Sequence, residues 1–296
     1  MDTMVSVSVA HEDPEAAKAA MSVAFGEMER VDKEMARIEG TPLWALNKAG
    51  KGVVSPDTAA VLDAALRAAR TMGGAFDPTM AAVIDLWKVK SGPHAPPTQE
   101  EIDRARAATG WQRISMDSGG NVELNGVAID LGGIAKGYAV DLAAKALREA
   151  GFENFLVNAG GDLYLSGDKN GKPWKVGLQH PRNTDQVFPV TPKNGGLVTS
   201  GDYERYFEWE GERYHHIFSP ATGSPADAGC VSVTVWADTA MRADILATVA
   251  FVLGPEKGLA LLEKEEGVEG LIIDAGLAEI VTSGFDAVVS SENAGK

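Results

Sequence analysis

From Phe155 to Trp236 strand patterns follow one another with no helical period between them. Phe155-Asn158, Asp162-Leu165, Lys175-Leu178, Gly196-Thr199, Arg205-Trp209, Arg213-Phe218 and Gly229-Trp236 are short runs bounded by turn formers. Strands adjacent in sequence favour an α+β fold over a strictly alternating α/β one. Further strands are expected at Met4-Val9, Arg113-Met116, Asn121-Leu124, Val127-Asp130, Leu271-Asp274 and Glu279-Thr282.

Helical spacing runs from about Glu15 to Arg37, through Ala20, Val23, Ala24, Met28, Val31 and Met35. A second helix fits Pro56-Met72, with Ser55 as N-cap and Gly73-Gly74 as its stop. A short one passes through Leu86-Trp87. Thr98 and Glu101 form a capping-box signature at the head of a helix to Thr109. Ile134-Ala150, Thr239-Leu253 and Glu256-Lys264 complete the helices, the first two closed by Gly151 and Gly254. Ser91-Pro97 reads as a loop, and the polar tail Ser290-Lys296 is expected to fray. No internal repeat is present, and the 296 residues read as a single domain of two packed lobes.

Hydrophobic residues make up 45% of the chain, enough for a sizeable core. The 27 Lys+Arg against 42 Asp+Glu give a net charge of -15, which repels polyphosphate backbones and argues against a nucleic-acid partner. A small phosphorylated ligand stays possible, because a metal or a helix N-terminus supplies local positive potential. The single cysteine, Cys230, excludes an intrachain disulfide and a cysteine zinc site. Within Cys230-Trp236 it reads as a buried strand residue rather than a nucleophile. No stretch approaches the ~20 apolar residues of a membrane span. The N-terminal stretch is not a signal peptide, so either the protein is cytoplasmic or an export segment precedes the sequence given.

Four motifs carry possible chemistry. Asp130-Leu131-Gly132-Gly133-Ile134-Ala135-Lys136-Gly137-Tyr138 runs from a strand end across two glycines into a helix start. It reads either as a phosphate cradle with Lys136 adding charge, or as a tight turn with an exposed lysine. Asp244 and Thr248 lie i,i+4 on one helix face. They suit a hard cation such as Mg²⁺, though one Asp and one Thr on a helix are also ordinary. In Tyr214-His215-His216-Ile217, strand alternation turns the two histidines to opposite sides, so at most one serves a site as general base; the other reading is structural. Asn158-Ala159-Gly160-Gly161-Asp162 is either a ligand contact at a strand end or a glycine bulge with a surface aspartate.

Taken together and in this order, these segments resemble the ApbE family, the FAD:protein FMN transferases. Met1-Asp2-Thr3, Leu46-Asn47, Val54-Ser55 and Gly73-Gly74-Ala75-Phe76-Asp77-Pro78-Thr79 also belong to the resemblance. So do Thr199-Ser200-Gly201-Asp202-Tyr203-Glu204-Arg205-Tyr206-Phe207 and Asp244-Ile245-Leu246-Ala247-Thr248. The resemblance covers nearly the whole chain, 1–296. It implies an α+β, T-fold-like core with mixed or antiparallel sheets and packed helices. It also implies FAD as substrate and Mg²⁺ at its pyrophosphate, held by Asp244, Thr248 and the carbonyls of Ala135 and Ala247. Met4, Phe76, Asp77, Gly133, Lys136, Asp162, Ser200, Gly201 and Asp202 would line the FAD site, and His216 would be the catalytic base. The implied reaction moves FMN onto a threonine of an acceptor protein and releases AMP. That acceptor would carry an Asp/Ser-Gly-Ala/Ser-Thr-Ser/Thr segment, as redox-driven ion-pump subunits or FMN-binding domains do. FAD pyrophosphatase activity and non-catalytic FAD binding are the alternatives. The implied compartment is the periplasm or cell envelope. One departure stands out: Ser219-Pro220-Ala221-Thr222-Gly223 replaces the family's common Asp-Pro-Arg-Thr-Gly.

Overall fold

The computed structural model describes residues 3–291. Met1, Asp2 and residues 292–296 of the polar tail lie outside the described residues. The chain divides into two compact units. Met1–Asp32, Ile134–Gly201 and Gly229–Lys296 make the first, and Lys33–Gly133 with Asp202–Ala228 the second.

The first unit is built on a seven-stranded sheet in the order Val5–Val9, Phe155–Ala159, Asp162–Ser166, Gly195–Gly201, Cys230–Ala237, Glu269–Asp274, Glu279–Val281. Every neighbouring pair in it is antiparallel. The central strands Asp162–Ser166 and Cys230–Ala237 are buried on both faces, so that Asp162, Ser166, Ser232 and Thr234 are buried polar residues within them. On one face lies a three-stranded sheet of Val176–His180, Asn183–Pro192 and Val289–Ser291. Between the two sheets, Leu163, Leu165, Trp174, Val190, Leu197, Phe285 and Val289 form an apolar cluster. Helices Ala135–Glu149 and Ala240–Leu253, called here the Ala135 and Ala240 helices, pack against the main sheet and each other.

The second unit holds helices Pro42–Ala49, Pro56–Thr71, Ala81–Trp87 and Gln99–Ala107. It also holds a three-stranded sheet, ordered Lys51–Val53, Asn121–Glu123, Ser115–Met116, and the hairpin Tyr206–Trp209/Glu212–His215. The caps expected from sequence form. Ser55 accepts the Thr58 N–H, and Thr98 and Glu101 close a reciprocal capping box. Its apolar cluster gathers Met80, Val83, Trp87, Val89, Ile102, Phe207 and Phe218.

Several expectations need correction. Val127-Asp130 is not a strand. Its backbone groups are taken by the Asn47 side chain, which bonds both the N–H and the carbonyl of Ile129 at 2.8 Å, and by the Pro78 carbonyl. Two expected strands are shorter than read: Arg113-Met116 begins in the 3₁₀ turn Trp111–Arg113 and only Ser115–Met116 is strand, and Arg213-Phe218 breaks at a bend after His215. Asn183–Pro192 is a strand the polar, proline-containing sequence conceals, since proline argues against a strand between two others. Helix Pro42–Ala49 also escaped notice, although Thr41 caps it through the Trp44 N–H. Ser290 and Ser291 pair with the strand ending at Pro192 instead of fraying.

Candidate active site

Strand alternation decides which way Asp162 points. Leu163 and Leu165 enter the apolar cluster between the sheets, so Asp162 and Tyr164 face the other side. The Ala135 helix lies on that side, because Arg148 near its end donates to the Tyr164 hydroxyl at 2.5 Å. At its start, Lys136 forms an ion pair with Asp162. Asp162 is 0% exposed. A carboxylate removed from water to that degree requires a counter-charge, and Lys136 provides it.

The Ala240 helix brings a second buried carboxylate to the same place. Asp244 accepts the Gly137 N–H at 3.0 Å and lies beside Asp162. Burial pushes the Asp244 carboxyl above its ordinary range, while Lys136, the Gly137 N–H and Asp162 pull it down. Thr248 follows one helical turn later, and its Oγ1 lies 3.4 Å from Ser200 Oγ at the end of strand Gly195–Gly201. Lys136, Asp162, Ser200, Asp244 and Thr248 therefore meet in the first unit. Ala135 and the buried Ala247 adjoin Lys136 and Thr248 in sequence, and the buried Gly201 follows Ser200.

These donors suit Mg²⁺. They are carboxylate and hydroxyl oxygens, and Mg²⁺ is commonly held by one or two carboxylates with its other positions left to phosphate oxygens and water. Burial is the largest influence on the Asp244 carboxyl and works against its ionised form. A divalent cation beside it would favour the ionised form. Among the described residues no group of three or more His, Cys, Asp or Glu gathers.

The Ala240 helix is fixed by three features sequence reading did not single out. Asp141 accepts the Ala240 N–H at 2.7 Å and the Met241 N–H at 2.9 Å. Burial pushes the Asp141 carboxyl up to about 6, against those two hydrogen bonds. Gly137 and Gly196 both run against the Ala240 backbone, where a Cβ on either would lie 2.5 Å from main-chain atoms. A glycine inside the helical pattern, Gly137, was the available sign of a close approach.

In the second unit the two histidines have different surroundings. His215 is buried: Nε2 donates to the Ala226 carbonyl at 3.1 Å, and Nδ1 accepts the Ile217 N–H at 3.2 Å. Burial lowers its pKa, so it is a neutral structural group. His216 is half-buried at the bend, and its Nδ1 meets the Arg205 carbonyl at 3.2 Å. A nitrogen facing a carbonyl oxygen carries a proton, so in the neutral imidazole, the form a general base needs, the other nitrogen, Nε2, is the acceptor. Asp202 is buried and pairs with Arg213 at 3.5 Å.

Phe76 packs under Gly133, with a ring carbon 3.3 Å from where a Cβ on the glycine would stand. Asp77 is engaged by its neighbours: it accepts from the Thr79 N–H and hydroxyl at 2.8 and 2.6 Å and from the Trp111 N–H at 3.2 Å. Met4, in the first unit, is 89% exposed beside Gly160, whose N–H its carbonyl accepts. The Ser219–Gly223 turn is held by the Gly223 N–H on the Ser219 carbonyl and by Arg106, which donates to the Ala221 carbonyl at 2.6 Å.

The sequence profile of the ApbE family matches residues 1–272. The FAD:protein FMN transferase of Vibrio cholerae is 35% identical over 249 residues, 80% of this chain and 73% of the relative. That of Treponema pallidum is 35% identical over 257 residues, covering 79% and 71%. Among solved structures, the ApbE protein of Thermotoga maritima is similar with a TM-score of 0.88 and 35% identity, over 97% of this chain and 96% of that one. The flavin transferase ApbE of Vibrio cholerae has a TM-score of 0.85 and 29% identity, with the same coverage. Both likenesses support the expected α+β class, with its helices and antiparallel sheets.

Proposed function

Given that the chain belongs to the ApbE family, we propose that it is a flavin transferase that moves the FMN half of FAD onto a threonine hydroxyl of an acceptor protein and releases AMP. The observation carrying the reading is the convergence of Lys136, Asp162, Asp244, Thr248 and Ser200 in one unit. The relatives are named FAD:protein FMN transferases, which supports FAD as substrate and a protein as acceptor. Mg²⁺, threonine as target and AMP as leaving group rest on the donor chemistry and the family resemblance.

Asp244 and Thr248, with the carbonyls of Ala135 and Ala247, would hold Mg²⁺. When bound, the cation supplies Lewis-acid stabilisation of the anionic diphosphate, which a chain of net charge -15 otherwise lacks. Lys136 adds a positive charge for a phosphate oxygen, and Asp162 holds that lysine in place. The start of the Ala135 helix adds partial positive charge. The threonine Oγ forms a bond to the FMN-side phosphorus, and the bond from that phosphorus to the bridging oxygen breaks. AMP departs with the bridging oxygen. We assign the hydroxyl proton to His216 Nε2, since Nδ1 is bound to the Arg205 carbonyl. We propose the periplasm or cell envelope as compartment, on the family resemblance.

The test is incubation with FAD, MgCl₂ and an acceptor carrying an Asp/Ser-Gly-Ala/Ser-Thr-Ser/Thr segment, followed by mass spectrometry. The expected result is one FMN added to the threonine and an equal amount of AMP. Free FMN with unmodified acceptor would replace transfer by hydrolysis; intact FAD would remove both.

A further inference from the structure

We propose that Asp141 is a positioning residue for the cation end of the site: it clamps the first turn of the Ala240 helix to the Ala135 helix, so that ligands carried by the two helices meet. The inference rests on the assignment of Asp244, Thr248 and the Ala135 carbonyl to Mg²⁺.

The two helices are joined by two rungs one helical turn apart. Gly137 donates its N–H to Asp244, and Asp141, four residues further along, accepts from Ala240, four residues before Asp244. Residues i and i+4 share a helix face, so both rungs lie on the same contact. Asp141 uses one oxygen for the Ala240 N–H and the other for the Met241 N–H. The Ala240 helix already has an N-cap of its own, Thr239, which accepts the Arg242 N–H at 3.3 Å. Starting this helix therefore does not require a carboxylate from a separate one. What Asp141 adds is a fixed axial position for the helix that carries Asp244 and Thr248.

The surroundings indicate the same role. Gly137 and Gly196 bring backbone against Ala240 on two sides, leaving this turn little room to slide. The charged groups acting on Asp141 are Asp238, which opposes its ionisation, and Arg148, which favours it. A part-buried anion beside Asp238 is a costly way to cap a helix, and the contact with two N–H groups makes it a directional one.

The experiment titrates MgCl₂ into the wild type, Asp141→Asn, Asp141→Ala and Asp244→Ala by calorimetry, with circular dichroism confirming the fold. The same proteins are then assayed for FMN transfer across Mg²⁺ concentrations. Residues that orient metal ligands typically change affinity 10- to 100-fold when replaced. We expect Mg²⁺ binding to weaken about tenfold or more in Asp141→Ala. Asp141→Asn, which keeps one acceptor oxygen, should fall between Asp141→Ala and the wild type. The Mg²⁺ concentration for half-maximal transfer should rise in step, with kcat at saturating Mg²⁺ within about twofold of wild type. If Asp141→Ala fails to fold, Asp141→Asn decides alone. Unchanged affinity in the folded Asp141 variants, with Asp244→Ala impaired, overturns the positioning role while sparing the metal assignment. Wild-type affinity in Asp244→Ala, or no binding by the wild type, overturns the metal assignment and this role with it.

Discussion

Gly137→Ala sets two physical effects against each other. Within a helix, alanine is favoured over glycine by about 1 kcal/mol, because glycine loses more backbone freedom on folding. At Gly137, however, a Cβ would lie 2.5 Å from the Ala240 carbonyl oxygen, 2.7 Å from its carbon and 2.8 Å from Met241 Cα. Ordinary contact begins near 3.4 Å, and all three atoms are main chain, so the Ala240 helix must retreat by roughly 1 Å. Overpacking of this kind costs about 1–3 kcal/mol. The retreat also stretches the bonds from Gly137 to Asp244 and from Ala240 and Met241 to Asp141, at about 1 kcal/mol or more each. The expected net is a loss of about 3–5 kcal/mol, or a fall in Tm of about 6–20 °C at about 2–4 °C per kcal/mol. Gly26→Ala is the control. Gly26 is exposed within helix Pro14–Met35 and a Cβ there meets nothing within 4 Å, so this variant should gain about 0.5–1 kcal/mol. Thermal denaturation of both variants beside the wild type reads the two signs. If Gly137→Ala is stabilised as Gly26→Ala is, the close approach of the two helices is not real and the site built on it fails.

Further expectations follow from individual groups. His216→Ala should lower the transfer rate about 10²–10⁴-fold with FAD binding retained, measured by single-turnover kinetics and FAD titration; unchanged turnover rejects His216 as base. His215 acts on stability instead. Its folded pKa lies below the unfolded value of 6.5, so its contribution is full above 6.5 and is lost as pH falls through the folded value. Replacing His215 by Gln should make denaturation midpoints less sensitive to acidification below pH 6.5. Asp244→Ala should remove Mg²⁺-dependent transfer while leaving the fold intact, since burial already works against this carboxyl; full activity would contradict its role as ligand. Cys230, buried and with its thiol pushed up to about 12, should resist iodoacetamide at pH 8 until the protein is denatured.

How much of this was legible in sequence depended on the range of the interactions. The Ser55 and Thr98 caps are local, because donor and acceptor sit three residues apart, and both could be read directly. The relation of Asp244 to Thr248 is equally local, fixed by helix geometry. The pairing of Lys136 with Asp162 was not legible: the family resemblance placed both only along the FAD site, and they lie 26 residues apart in the chain. Asp141 was not legible. Its partners lie 99 and 100 residues away, and nothing in the segment Tyr138-Ala143 distinguishes a helix-clamping carboxylate from a solvated one. Val127-Asp130 failed for a related reason: its pattern suits a strand, but the Asn47 side chain, 82 residues away, takes the backbone groups a neighbouring strand would have used. Asp77, expected along the FAD site, accepts from Thr79 close by in sequence and from the Trp111 N–H 34 residues away, a contact the sequence does not disclose.

A crystal structure of the protein soaked with FAD and MgCl₂ measures the central matter directly. The account predicts density for one cation contacting the Asp244 carboxylate and the Thr248 hydroxyl on one side and the diphosphate of FAD on the other. A cation and diphosphate bound away from the Ala135 and Ala240 helices would contradict it.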